Sequence, residues 1–190
     1  AYLGPVGMPG VTAWYGLQEI CKPKSGETVL VSAASGAVGS VVGQLAKMSG
    51  CRAVGIAGGP EKCAYVRDEL GFDACIDHRE HKDIRSMSIA LKEAAPNGID
   101  CLFENVGGVG LDAALARMNA FGRIAVCGLI AGYEGGDIAI HNTRALLVNR
   151  LSLRGAEVLL SSGAALASKG ELDEALDHFR EAAAIDPFDP

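Results

Sequence analysis

Apolar and polar positions along this chain follow two rhythms in turn. Short β-rich runs stand at 28–32, 52–56, 74–77, 100–104, 123–127 and 151–158. Between most of them lie segments with helical spacing of apolar residues, at 38–49, 61–70, 84–95, 110–118 and 142–149. Strands that alternate with helices predict a parallel sheet covered on both faces. Six strands in this rhythm predict an α/β fold, a doubly wound Rossmann sheet. The punctuation agrees. Gly50 in "SGCR" and Gly71 in "LGFD" stand where helices end, and "PNGID" places a turn before the fourth strand. The last stretch, "SSGAALASKGELDEALDHFREAAAIDPFDP", carries no strand rhythm. It reads as two helices, at 163–169 and 172–184, closed by Pro187. The expected organisation is therefore a Rossmann domain over 1–158 followed by an α-helical hairpin over 159–190.

The stretch "VLVSAASGAVGSVVGQLAKMSG" sets two glycines, Gly36 and Gly39, between the first strand and the first crossover helix. A helix N-terminus offers unpaired N–H groups and the positive end of a dipole. A pyrophosphate can approach that backbone only past residues with little side chain. Gly36 and Gly39 meet this need, with Ala33, Ala34, Ser35 and Ala37 around them. The first glycine of the usual G-x-G-x-x-G is replaced by Ala34, and a tight turn without a ligand would look the same. The strand before it, the helix after it and a second strand on schedule favour a dinucleotide. NAD sites usually carry Asp or Glu about 20 residues on, to hold the ribose 2′-hydroxyl. Here "GIAGGPEK" puts Gly58 and Gly59 at that place, with Lys62 one turn into the next helix. Glycines leave room for a 2′-phosphate, which an acid would repel, and Lys62 can reach it as a point charge. That pattern favours NADP over NAD. A solvated lysine on a helix face is the other reading of Lys62.

Composition narrows the class. The chain has 190 residues, of which 49% are apolar and 21% charged, so it can bury a core and is not disordered. A net charge of −6 with no basic stripe argues against nucleic acid and anionic membranes as partners. No apolar run approaches the roughly 18 residues of a membrane span. Six cysteines, none paired at metal spacing, read as buried reduced thiols of a cytoplasmic protein. His78 and His81 in "DHREH" share a helical spacing, but no third ligand accompanies them, and no metal is expected.

Several stretches together resemble the medium-chain dehydrogenase/reductases of the zinc-independent branch: "GMPGVTAWYGLQEI", "SAASGAVGSVVGQLAK", "GGPEKCAYVRDELGFD", "FENVGG" and "GRIAVCGLIAGY". The branch holds prostaglandin, alkenal and curcumin reductases. The resemblance runs from about residue 2 to 155 and implies an NADPH-binding domain. Gly36, Ala37, Val38 and Gly39 match the phosphate loop, and Lys62 matches a lysine at the 2′-phosphate. His78 matches a position near that phosphate that is Tyr in many members. Asn105 matches an asparagine beside the cofactor. Cys127, Gly128 and Leu129 begin a loop along the nicotinamide. Tyr133, in that loop, matches a tyrosine that holds the nicotinamide ribose or supplies a proton. The implied chemistry is hydride transfer from NADPH to the β-carbon of an enone or enal, then protonation at the α-carbon. Members also carry an N-terminal β-rich catalytic domain of about a hundred residues, so the chain is expected to be incomplete as a standalone catalyst. The sixth strand, 151–158, should be a sheet edge and is expected to pair two copies into a homodimer. The tail resembles one tetratricopeptide repeat. Gly163, Leu166, Gly170, Ala175, Phe179, Ala182 and Pro187 fit its spacing, which implies a protein partner. An ordinary helical hairpin fits too. A module that binds NADP(H) or a protein without catalysis is the competing function.

Overall fold

The computed structural model describes residues 7–133 and 139–156. Six strands form one sheet in the order β3-β2-β1-β4-β5-β6: β1 (Thr28–Val31), β2 (Arg52–Ala57), β3 (Ala74–Asp77), β4 (Ile99–Glu104), β5 (Met118–Val126) and β6 (Ser152–Gly155). Every pairing is parallel. This is the doubly wound Rossmann order, which reverses direction between β1 and β4.

The helices fill the crossovers. They are α1 (Met8–Trp14), α2 (Gly39–Met48), α3 (Pro60–Ala64), α4 (Ile84–Ala94), α5 (Gly108–Leu115) and α6 (Thr143–Val148). Two of them widen into π turns, α1 over Tyr15–Cys21 and α3 over Tyr65–Glu69. α4 shows the local logic. The Asp83 side chain accepts from the Ser86 N–H at 2.9 Å, and Pro96 lies just past the last helical residue.

Both faces of the sheet are buried, which is why its strands read as apolar runs. Val29, Val31, Cys101 and Phe103 pack with Leu17 and Val42 on one face. Leu30, Leu102 and Ile124 pack with Met87, Leu91, Leu111 and Leu115 on the other. Each large side chain so buried contributes roughly 1.5–3 kcal/mol.

The elements follow the expected rhythm, with three differences. α5 ends earlier than the expected 110–118, because Met118 already pairs with Ile99. The regular part of β5 starts at Arg123, after a bulge in which Phe121 takes a φ of 64°. The first helix, α1, has no counterpart among the expected elements. β6 lies at the sheet edge with all four residues exposed. The rest of the expected sixth strand, and the whole expected hairpin at 159–190, lie outside the described residues. Among the described residues no helix is long and apolar enough to cross a membrane.

Candidate functional site

A cleft of about 520 Å³ opens at the carboxyl ends of β1, β2 and β4, at the point where the strand order reverses. Crevices at such switch points are where ligands bind in open α/β sheets. Its neck is the turn from β1 to α2. There Ala33 adopts a φ of 49°, and the Ala34 N–H donates to the Ile56 carbonyl at 3.0 Å. Gly39 opens α2 against that turn. A Cβ on Gly39 would stand 2.5 Å from the Ala33 oxygen and 3.0 Å from the Ala34 Cα, both backbone atoms. Among the described residues, the N–H groups of Ala37, Val38 and Gly39 have no hydrogen-bond partner. Three unpaired donors at the start of a ten-residue helix favour an anion.

The second wall joins the β2–α3 turn to the loop after β3. Lys62, His78, Arg79, His81 and Lys82 give this end of the cleft a basic character. Asp77 ties the two loops together. Its Oδ1 accepts from the Gly59 N–H at 2.8 Å and the Arg79 N–H at 3.0 Å. These two bonds hold its carboxyl below the usual carboxylate range. The space over Gly58 and Gly59, read from sequence as room for a phosphate, is taken up by the side chains of His78 and Arg79. A Cβ on Gly58 would meet the His78 Nε2 at 2.7 Å, and one on Gly59 would meet the Arg79 Nη1 at 3.1 Å. Ile56, Met87 and Val109 add an apolar flank. The cleft thus suits a flat apolar body that carries anionic groups.

The floor is Glu104, 1% exposed at the end of β4. Its Oε1 accepts from the Ser32 hydroxyl at 2.8 Å, the Val106 N–H at 2.6 Å and the Gly107 N–H at 2.8 Å. This one buried carboxylate joins β1, β4 and the start of α5.

Of the residues singled out from sequence, Lys62 and His78 line the cleft. Gly36, Ala37, Val38 and Gly39 follow the cleft-lining Ala33 and Ser35 in the same turn and do not themselves line the cleft. Asn105 is buried beside it and faces β1. Its Nδ2 donates to the Ser32 carbonyl at 2.7 Å, and its backbone N–H donates to the Ser32 hydroxyl at 2.7 Å. Cys127, Gly128 and Leu129 leave β5 next to Asn105. The Cys127 N–H donates to the Glu104 carbonyl at 2.8 Å, and burial pushes the Cys127 thiol up, so it stays protonated. Tyr133 is 73% exposed, and its hydroxyl returns to within 3.4 Å of where a Gly128 Cβ would stand. That second group lies beyond the cleft, on the side of β4 and β5. Glu104 and Arg79 were not singled out from sequence. Glu104 adjoins Asn105 in "FENVGG", and Arg79 follows His78, so only position in a quoted motif could have flagged them.

A family profile described as zinc-binding dehydrogenase matches residues 37–180. The chain belongs to the zinc-binding dehydrogenase family. The family match continues into part of the segment expected to form a tetratricopeptide-like hairpin. Against the NADP(+)-dependent 2-alkenal reductase of Nicotiana tabacum, the chain is 50% identical over 155 residues, 81% of this chain and 44% of the relative. Against prostaglandin reductase 1 of Bos taurus, it is 56% identical over 132 residues, 70% of this chain and 39% of the relative. The crystal structure of CurA from Vibrio vulnificus in complex with NADPH superposes with a TM-score of 0.75 at 41% identity, covering 96% of this chain and 53% of that one. The chain thus spans less than half the length of the tobacco and bovine relatives. The zinc in the family's description finds no fit here. Among the described residues no three His, Cys, Asp or Glu side chains are grouped to hold a metal.

Proposed function

We propose that the switch-point cleft binds NADPH and that the chain is the cofactor domain of a reductase of activated C=C bonds, acting on an enone or enal. The observation that carries this reading is the pairing of two features at one switch point, the β1–α2 turn and the cleft that Ala33 and Ser35 of that turn line. Unpaired N–H groups at Ala37, Val38 and Gly39 suit a pyrophosphate, and the basic end around Lys62 and His78 suits a 2′-phosphate. The names of the tobacco and bovine relatives, and the NADPH in the CurA structure, point the same way.

When bound, NADPH supplies a hydride to the β-carbon of the double bond. This chain's residues bind and orient. The free N–H groups of Ala37, Val38 and Gly39 would hold the pyrophosphate. Lys62 and His78 anchor the adenosine end. Asn105, locked to Ser32, and the loop from Cys127 through Leu129 border the nicotinamide. Tyr133 is assigned the proton delivered to the α-carbon, because its hydroxyl is exposed and turned back toward Gly128. The exposed edge strand β6, with Leu153 on it and Leu147 and Val148 on α6, is assigned to a homodimer interface. Six free cysteines fit a reducing cytoplasm.

The test is NADPH consumption by the full chain with a 2-alkenal, followed by absorbance of the reduced nicotinamide, alongside a direct binding titration. Tighter binding of NADPH than of NADH is the expected result, with little consumption by a chain that spans less than half the length of the tobacco and bovine relatives. NADPH bound but not consumed by this chain alone leaves the cofactor-domain reading in place, and NADH bound as tightly as NADPH removes it. No NADPH binding removes the whole reading.

A further inference from the structure

We propose that Arg79 is a cofactor-specificity residue, a forked cation aimed at the 2′-phosphate from the loop after β3. The inference rests on the NADPH reading above and adds a group to it. The Arg79 guanidinium lies across the β2–α3 turn. Its Nη1 stands 3.1 Å from the position of a Cβ on Gly59, and its Nε stands 3.5 Å from that of a Cβ on Gly58. That turn is where an NAD site places its acid. A guanidinium there reverses the electrostatics of the site, and at Gly59 a side chain would crowd it. Gly59 has a second constraint, a φ of 97° that other residues rarely adopt.

The backbone of the loop that carries Arg79 is fixed. Asp77 Oδ1 binds the backbone N–H of both Gly59 and Arg79, which locks the two turns face to face. Asp77 therefore spends its acceptor on backbone. Among the described residues no carboxylate stands within ion-pair distance of Arg79. An exposed guanidinium lining a cleft with no acidic partner is poised for an anionic ligand. Its planar donors match phosphate oxygens two at a time, which the point charge of Lys62 cannot do. Lys62 on α3 and Arg79 in the loop after β3 both line the cleft, so they can hold the phosphate between them.

Fluorescence titration of the full chain with NADPH and with NADH tests this, in the wild type and in Arg79→Gln and Arg79→Lys. Arg79 is exposed, so its replacement leaves the core intact, and an unchanged melting temperature checks that. The expected result is NADPH preference in the wild type, a loss of about 10- to 100-fold in NADPH affinity in Arg79→Gln, and no change for NADH. Arg79→Lys should recover part of the loss. A wild type that prefers NADPH beside an Arg79→Gln chain with the same preference overturns the role of Arg79 and leaves the NADPH reading in place. A wild type that binds both cofactors equally, or neither, overturns both.

Discussion

Replacing Gly39 with Ala sets two effects against each other. In a helix interior, Ala is more favourable than Gly by up to about 1 kcal/mol. Gly39 is the first residue of α2, where that gain shrinks. The added methyl would stand 2.5 Å from the Ala33 carbonyl oxygen and 3.0 Å from the Ala34 Cα. Ordinary contact begins at 3.4 Å, so the helix start must retreat by about 0.9 Å from backbone that is itself held in the sheet. Overpacking of this kind costs about 1–3 kcal/mol, which exceeds the propensity gain. For a chain of this size the melting temperature should fall by about 2–12 °C. The same retreat carries the free N–H groups of Ala37, Val38 and Gly39 away from the cleft. A hydrogen bond stretched by that much is no longer one, and charge-assisted bonds are worth about 1.5–3 kcal/mol each, so affinity should drop about 10- to 100-fold. The loss should be equal for NADPH and NADH, because the pyrophosphate is common to both. Differential scanning fluorimetry and paired cofactor titrations read the two effects. A Gly39→Ala chain that melts at or above the wild-type temperature and binds both cofactors unchanged would refute the reasoning.

Gly58→Asp should reverse cofactor preference, because the new carboxylate would rise beside the His78 Nε2 and Arg79 and repel the 2′-phosphate. Titration should show at least about a tenfold loss for NADPH with NADH retained or improved. Glu104→Ala removes the acceptor of three buried or half-buried donors and should cost about 3–5 kcal/mol, read as a lower urea midpoint with the slope preserved. Acid should destabilise the fold in a defined window. Burial pushes the Asp73 carboxyl up, but the Lys47 ammonium and the Ala53 N–H outweigh it. Burial likewise opposes the Arg123 guanidinium at Glu27, and both acids end below their usual values. A lowered folded value means the stabilisation is complete above the unfolded value and is lost as pH falls below about 4. Lys47→Met should flatten that acid decline, measured as urea midpoint against pH.

The order of elements was legible because β1, β2 and β4 are apolar on both faces and each crossover ends in a plain stop signal such as Gly50 or Gly71. α1 escaped because Pro9, Gly10 and Gly16 read as loop residues. Gly16 is instead a packing position, where a Cβ would stand within contact of the Phe103 ring. The bulge in β5 depends on a left-handed Phe121, which no propensity indicates. In the site, Gly39 and Lys62 were legible because backbone approach and charge follow from position along a strand–turn–helix. Arg79 was not. The loop that carries it is held beside the β2–α3 turn by Asp77, which accepts from the backbone N–H groups of Gly59 and Arg79. Gly58 and Gly59 were read as a space for the ligand, whereas the space holds the side chains that would meet it. Glu104 sat unremarked beside Asn105, since its importance lies in three bonds to other parts of the chain.

The most direct test of the central claim is to map backbone amide shifts on the isotope-labelled full chain as NADPH is added. Binding at the switch point should move the amides of Ala37, Val38, Gly39, Gly58, Gly59 and Gly107 together, with the distant amides of α6 unmoved. Shifts absent from that set, or gathered elsewhere on the chain, would contradict the assignment of this cleft to a dinucleotide.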